Sequence, residues 1–122
     1  MVNIQNKLLN ETAKALVGQS YDKIGEAAYS EDEEPMSQNV SDFGSEVGDR
    51  SIVTASRQDN DVIFESLRTG TQVVNEEDGD TLSRIGFMPK LDNAPMIIAG
   101  LPGITHTPRF DFSFQLEVRV RR

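Results

Sequence analysis

His106, set between Thr105 and Thr107, is the one histidine of the chain and the first residue to consider for general-base chemistry. An imidazole base needs a nucleophile within hydrogen-bond reach and a carboxylate to orient its ring. The two threonines are neighbours only in sequence, and no Gly-x-Ser-x-Gly turn occurs in the chain. His106 lies between Pro102 and Pro108 and is expected in a loop. Two groups of carboxylates invite a cation. Glu31, Asp32, Glu33 and Glu34 form one run, and Glu76, Glu77, Asp78 and Asp80 surround Gly79 in the other. The first lacks the spaced ligands and turn glycine of a calcium loop and reads as a solvated charge run. The second reads as the residues of a hairpin turn. The glycine pattern "GLPG", Gly100 to Gly103, lacks the Lys and Ser/Thr of a phosphate loop and reads as a turn. No catalytic residue, metal ligand or cofactor site is expected, and the chain reads as a non-enzyme.

The totals narrow the classes further. A chain of 122 residues is the size of one domain, and residues 1–122 are read as a single one. A hydrophobic content of 37% and a mean hydropathy of -0.43 suit a folded chain with long polar loops. The absence of cysteine removes disulfides, thiolate metal sites and cysteine nucleophiles. A net charge of -8 argues against nucleic acid as a partner, because phosphate neutralisation needs a basic surface. Twenty acidic residues against eight Arg and four Lys suit a saline host as well as they suit an ordinary acidic protein. No apolar run approaches the roughly 18 residues that cross a bilayer, and the first residues lack the apolar stretch of a signal peptide. No membrane partner is expected.

The elements are those of an antiparallel sheet. Ile4, Leu8, Ala15 and Leu16 fall near helical spacing and Gly18 follows them, which predicts one amphipathic helix within residues 1–18. Its narrow apolar stripe suits a place across the edge or open face of a sheet. Residues 19–122 are read as strands: "YDKIGEAAY", then "DRSIVTASRQ" and "VIFESLRTG" around the turn residues Asp59, Asn60 and Asp61, then Thr81 to Met88 and "MIIAGL". "PGITHTP" reads as a connection, and Ser41 as the cap of one helical turn holding Phe43. "RFDFSFQLEVRV" alternates Phe110, Phe112, Phe114, Leu116, Val118 and Val120 with polar residues, the period-2 signature of a strand buried on one face. This strand is expected to be central in its sheet. The fold class is mainly β, an antiparallel sandwich or flattened barrel with one N-terminal α-helix. On the polar face of the last strand, Arg119 and Arg121, joined by Arg122, are placed to meet carboxylates of the same chain or of another copy.

The segments "KIGEAAYSEDEEP", "SEVGDRSIV", "VIFESL", "DGDTLSRIGFM" and "HTPRFDFSFQLEVRV" follow one another over nearly the whole chain. In order and spacing they resemble the collar or adaptor modules that fix tail fibres in tailed viruses of bacteria and archaea. Ser30 to Pro35 stands where that family has a glycine-rich turn, and Arg84 where it has a glutamate before the Ile85-Gly86-Phe87 triplet. The resemblance implies a structural virion protein, made in the host cytoplasm, that acts as a homo-oligomeric adaptor in the tail, baseplate or fibre attachment. It implies other virion proteins as partners and no cofactor. Arg119, Arg121 and Arg122 are the candidate interface residues. Two other readings stand beside this one. The first is a capsid turret or decoration protein. The second is a carbohydrate-binding sandwich, against which the lack of Trp and the presence of only two Tyr both count.

Overall fold

The computed structural model describes residues 2–33 and 36–119. In chain order the elements are β1 (Val2–Ile4), α1 (Asn6–Leu16), β2 (Ile24–Ser30), β3 (Ser51–Gln58), β4 (Asp61–Arg68), a 3-10 turn (Gly70–Gln72), β5 (Asp80–Pro89), β6 (Ile97–His106) and β7 (Phe112–Arg119). The fold is mainly β: among the described residues seven antiparallel strands form one curled sheet in the order β1-β6-β5-β2-β3-β4-β7, with a single α-helix near the N-terminus. Residues 2–4, expected at the start of the helix, instead pair with β6, Val2 opposite Ala99. The helix stops as its glycine dictates. Gly18 adopts φ 76°, its N–H bonds to the Ala15 carbonyl, and the Gln19 N–H bonds to that of Lys14, which closes a Schellman cap.

Curling brings the inner faces of the sheet against one another. Ala27, Tyr29, Val53, Leu82, Ile85, Phe87 and Ile97 form the main core, and Phe64, Phe114, Leu116 and Val118 pack on it from the other half. Ring contacts cross the interior, Tyr29 to Phe114 at 5.7 Å and Phe64 to Phe87 at 6.2 Å. The sheet is least paired between β2 and β3, which share only the pairs Glu26↔Ile52 and Ala27↔Ser51. Beyond those pairs the strands part and leave a cleft lined by Leu8, Ala15, Tyr21, Ile24, Phe64 and Met96, roofed by α1. The helix thus covers an opening, and of its apolar residues Leu8 reaches the core while Leu16 stays exposed.

A second, smaller core lies on the outer face. Ala28, Phe43, Met88 and Ile98 are buried there, with Met36 against them. Phe43 is not in the helical turn expected at Ser41. It sits in an irregular segment laid across β5, where the segment's own backbone bonds to Asn93 and its ring plugs the sheet. The plug explains Gly86, because a Cβ on that residue would lie 2.6 Å from the Phe43 ring.

The other departures concern the second half of the chain. "PGITH" is strand, since β6 runs from Ile97 to His106. Pro102 and Gly103 sit where the β5 and β6 register shifts between Leu82 and Arg84, a bulge that tolerates a residue without N–H and uses the φ of 76° at Gly103. β7 alternates as expected, but it is an edge strand and not a central one. Alternation reports which face is covered; it carries no information on how many strands lie alongside. Accordingly Phe112, Phe114, Leu116 and Val118 are half-buried, short of the near-complete burial of Phe87 and Leu82.

Gly86→Ala is expected to cost about 1 to 3 kcal/mol by overpacking against Phe43, and Phe43→Ala about 3 to 5 kcal/mol. Combining Gly86→Ala with Phe43→Leu should cost clearly less than the sum of the two single changes, because the smaller side chain makes room for the methyl. Urea unfolding of the four variants checks this, and strict additivity would show that the two residues do not share the site.

Candidate functional site

Three charged or titratable side chains fall on the inward phase of their strands. Arg68 closes the phase Val62, Phe64, Ser66 on β4, Asp80 opens that of β5, and His106 ends β6 directly opposite Asp80. Their exposures are 0%, 1% and 0%. The Arg68 guanidinium is the hub. Nη2 donates to Asp80 Oδ2 at 2.7 Å and to the carbonyls of Val47 and Gln72 at 3.3 Å, and Nη1 meets His106 Nδ1 at 2.7 Å. The guanidinium also lies over the Tyr29 ring, 5.2 Å from its centroid. Since a guanidinium has no acceptor, Nδ1 of His106 must accept. The proton therefore sits on Nε2, which donates to the Phe110 carbonyl at 2.7 Å.

Asp80 is equally well held. Its Oδ2 also accepts the Val74 N–H and its Oδ1 the Asn75 N–H, both at 3.0 Å. Burial by itself raises the pKa of this carboxyl. The Asn75 N–H, the Arg68 side chain and the Val74 N–H together outweigh that effect and hold it below the ordinary 3.8. Around the cluster, the Tyr29 hydroxyl donates to Ser51 Oγ at 2.7 Å, and burial pushes its pKa up. Phe112 meets the His106 ring edge-on at 5.0 Å. An Arg, an Asp and a His in contact have the residue types of a catalytic site, but every one is sealed from solvent and already bonded. The arrangement fastens strands and offers no face to a substrate.

His106 is thus a buried strand residue, correcting its expected loop position. Of the acidic group around Gly79, Asp80 turns inward while Glu76, Glu77 and Asp78 stay exposed. In the other run Glu31, Asp32 and Glu33 are exposed, and Glu34 lies outside the described residues. Among the described residues no three of His, Cys, Asp and Glu converge as a metal site requires, and no helix is long and apolar enough to cross a membrane. Arg119 sits on the outer face of β7 with a side chain 55% exposed, 3.2 Å from Glu117 and 3.9 Å from Asp61. Arg121 and Arg122 lie outside the described residues. The edge of β7 remains the surface to which the interface expectation attaches. No family model, no curated protein and no solved structure matches the chain.

Asp80→Asn should lower stability at neutral pH by about 3 to 5 kcal/mol, the usual cost of removing one partner from a buried ion pair. The folded carboxyl titrates below the unfolded one, so its stabilisation is complete above pH ~4 and is lost as pH falls through the folded value. Urea titrations from pH 7 to pH 2.5 should show the gap between wild type and variant closing below pH ~4. A gap constant with pH would mean that the charge of Asp80 contributes nothing.

Proposed function

We propose that this chain is a structural subunit that works by assembly, as a homo-oligomeric adaptor in the tail, baseplate or fibre attachment of a tailed virus. The observation that carries the assembly part is the location of the polar chemistry. The Arg68–Asp80–His106 cluster faces inward and fastens the fold. Among the described residues one edge of β7 is left unpaired, and Arg119 and Glu117 stand exposed on the outer face of that strand. The order of sequence segments from "KIGEAAYSEDEEP" to "HTPRFDFSFQLEVRV" supports the virion setting. An acidic subunit with an exposed arginine, Arg119, on its edge strand is suited to meet carboxylates on a neighbour.

Light scattering of the purified chain over a wide concentration range should show a concentration-dependent oligomer; a monomer throughout would contradict self-assembly. Pull-downs against the proteins encoded beside it test the setting. Retention of tail, baseplate or fibre proteins is expected. Retention of capsid proteins alone would move the subunit to a turret or decoration position.

Replacing Arg119, Arg121 and Arg122 together by Gln should leave the melting temperature unchanged and weaken assembly. A desolvated contact is worth about 2 to 5 kcal/mol and an exposed pair about 1 or less, so the size of the loss tells how deeply the arginines enter the interface. Undiminished assembly would remove them from it.

A further inference from the structure

Among the described residues β7 has a strand on one side only. It pairs with β4 without a shift from Asp61↔Arg119 to Arg68↔Phe112, and among the described residues no strand pairs with its other edge. Open edges are normally blunted by a proline, a lysine, a bulge, an inward charge or sheer shortness, because a row of unpaired peptide groups templates another strand. The opposite edge of the sheet obeys this rule, since β1 has three residues. β7 does not. "FSFQLEVR" contains no proline, lysine or glycine, its pairing is regular over all eight residues, and its inward phase is wholly apolar. Phe112, Phe114, Leu116 and Val118 are each left half-buried for want of a lateral neighbour on the open side.

We infer that β7 pairs antiparallel with β7 of a second copy about a two-fold axis at Gln115, joining the two curled sheets into one. This rests on the self-association in the proposed function and adds to it the surface and the register. Opposed residues in an antiparallel ladder share a face, so an axis between two residues would set the polar phase of one copy against the apolar phase of the other. The axis must fall on a residue. At Phe114 it would oppose Glu117 to Asp111, two like charges. At Leu116 it would oppose Arg119 to Ser113, with no charge satisfied. At Gln115 it opposes Arg119 to Asp111 twice, by symmetry, and Glu117 to Ser113. On the inner face the same register sets Phe114 against Leu116 and Phe112 against Val118, so each copy supplies the lateral neighbours that the other lacks.

The chain has no cysteine, so one introduced thiol reports one position. Gln115 lies on the axis, where opposed Cβ atoms are about 4.5 to 5.5 Å apart, close to the reach of a disulfide. Glu65 is directly opposite Gln115 on β4 and hydrogen-bonded to it at 2.9 Å. Its two copies would stand three strand spacings apart, about 14 Å. Under mild oxidation, full-length Gln115→Cys should form a disulfide-linked dimer and Glu65→Cys should not, with both melting like wild type. In addition, Gln115→Lys, which opposes like charges on the axis, should shift light scattering toward the monomer. An oligomer in which neither position cross-links, or both do so equally, would overturn pairing through β7 and leave self-association standing. A monomer at every concentration would overturn both.

Discussion

A guanidinium without access to water governs this fold. Taking Arg68 out of solvent costs several kcal/mol, and the expense is offset by the acceptors that converge on its two terminal nitrogens, Nε being left without a partner. Asp80 begins β5, His106 ends β6, the Val47 carbonyl precedes β3, the Gln72 carbonyl closes the 3-10 turn, and the Tyr29 ring under the guanidinium belongs to β2. None of these partners can shift by an ångström without leaving a buried charge underpaired. The constraint matters because the sheet is weak at its fold line, where β2 and β3 share two residue pairs. Hydrogen bonding along the sheet cannot by itself hold one half over the other. The cluster does so at one end, and the aromatic contacts do so through the middle.

Those contacts give β7 its role. Phe110, Phe112 and Phe114 form a row of rings 5.1 and 5.8 Å apart that begins against His106 and ends against Tyr29. The strand is thereby glued to the interior by one face and to β4 by one edge, and among the described residues no strand pairs with its remaining edge. The Arg68–Asp80–His106 cluster is sealed inside, and a regular strand edge lies outside. This is why the proposed function is assembly and why a buried Arg-Asp-His cluster is read as a fastening.

Much of the architecture was legible in the sequence because it follows from local rules. Gly18 ended the helix, Asp59 and Asn60 made the β3–β4 turn, and the alternation of β7 announced its buried face. What stayed hidden depends on partners distant in sequence. Pro102 and Gly103 look like a loop until β5 supplies the bulge opposite them. Phe43 shows no periodicity because its ordering comes from Gly86, 43 residues later. A count of apolar side chains could not distinguish an edge from a central strand. The polar cluster did leave a trace: Arg68 occupies the apolar phase of its own strand, and a charge there implies a buried partner. Identifying Asp80 and His106 as that partner required the register of β5 on β6.

The claim that Arg68 clamps the two halves of the sheet is tested most directly by native-state hydrogen exchange on Arg68→Met, which removes the charge and keeps the volume. If the clamp holds the fold line, protection should fall together in β3, β4 and β7, and on their facing partner Tyr29, while the β5–β6 ladder far from the cluster, around Phe87 and Ile97, keeps its own. Loss of protection confined to the residues next to position 68, with the β2–β3 junction unchanged, would contradict it and assign the closure of the sheet to the apolar core alone.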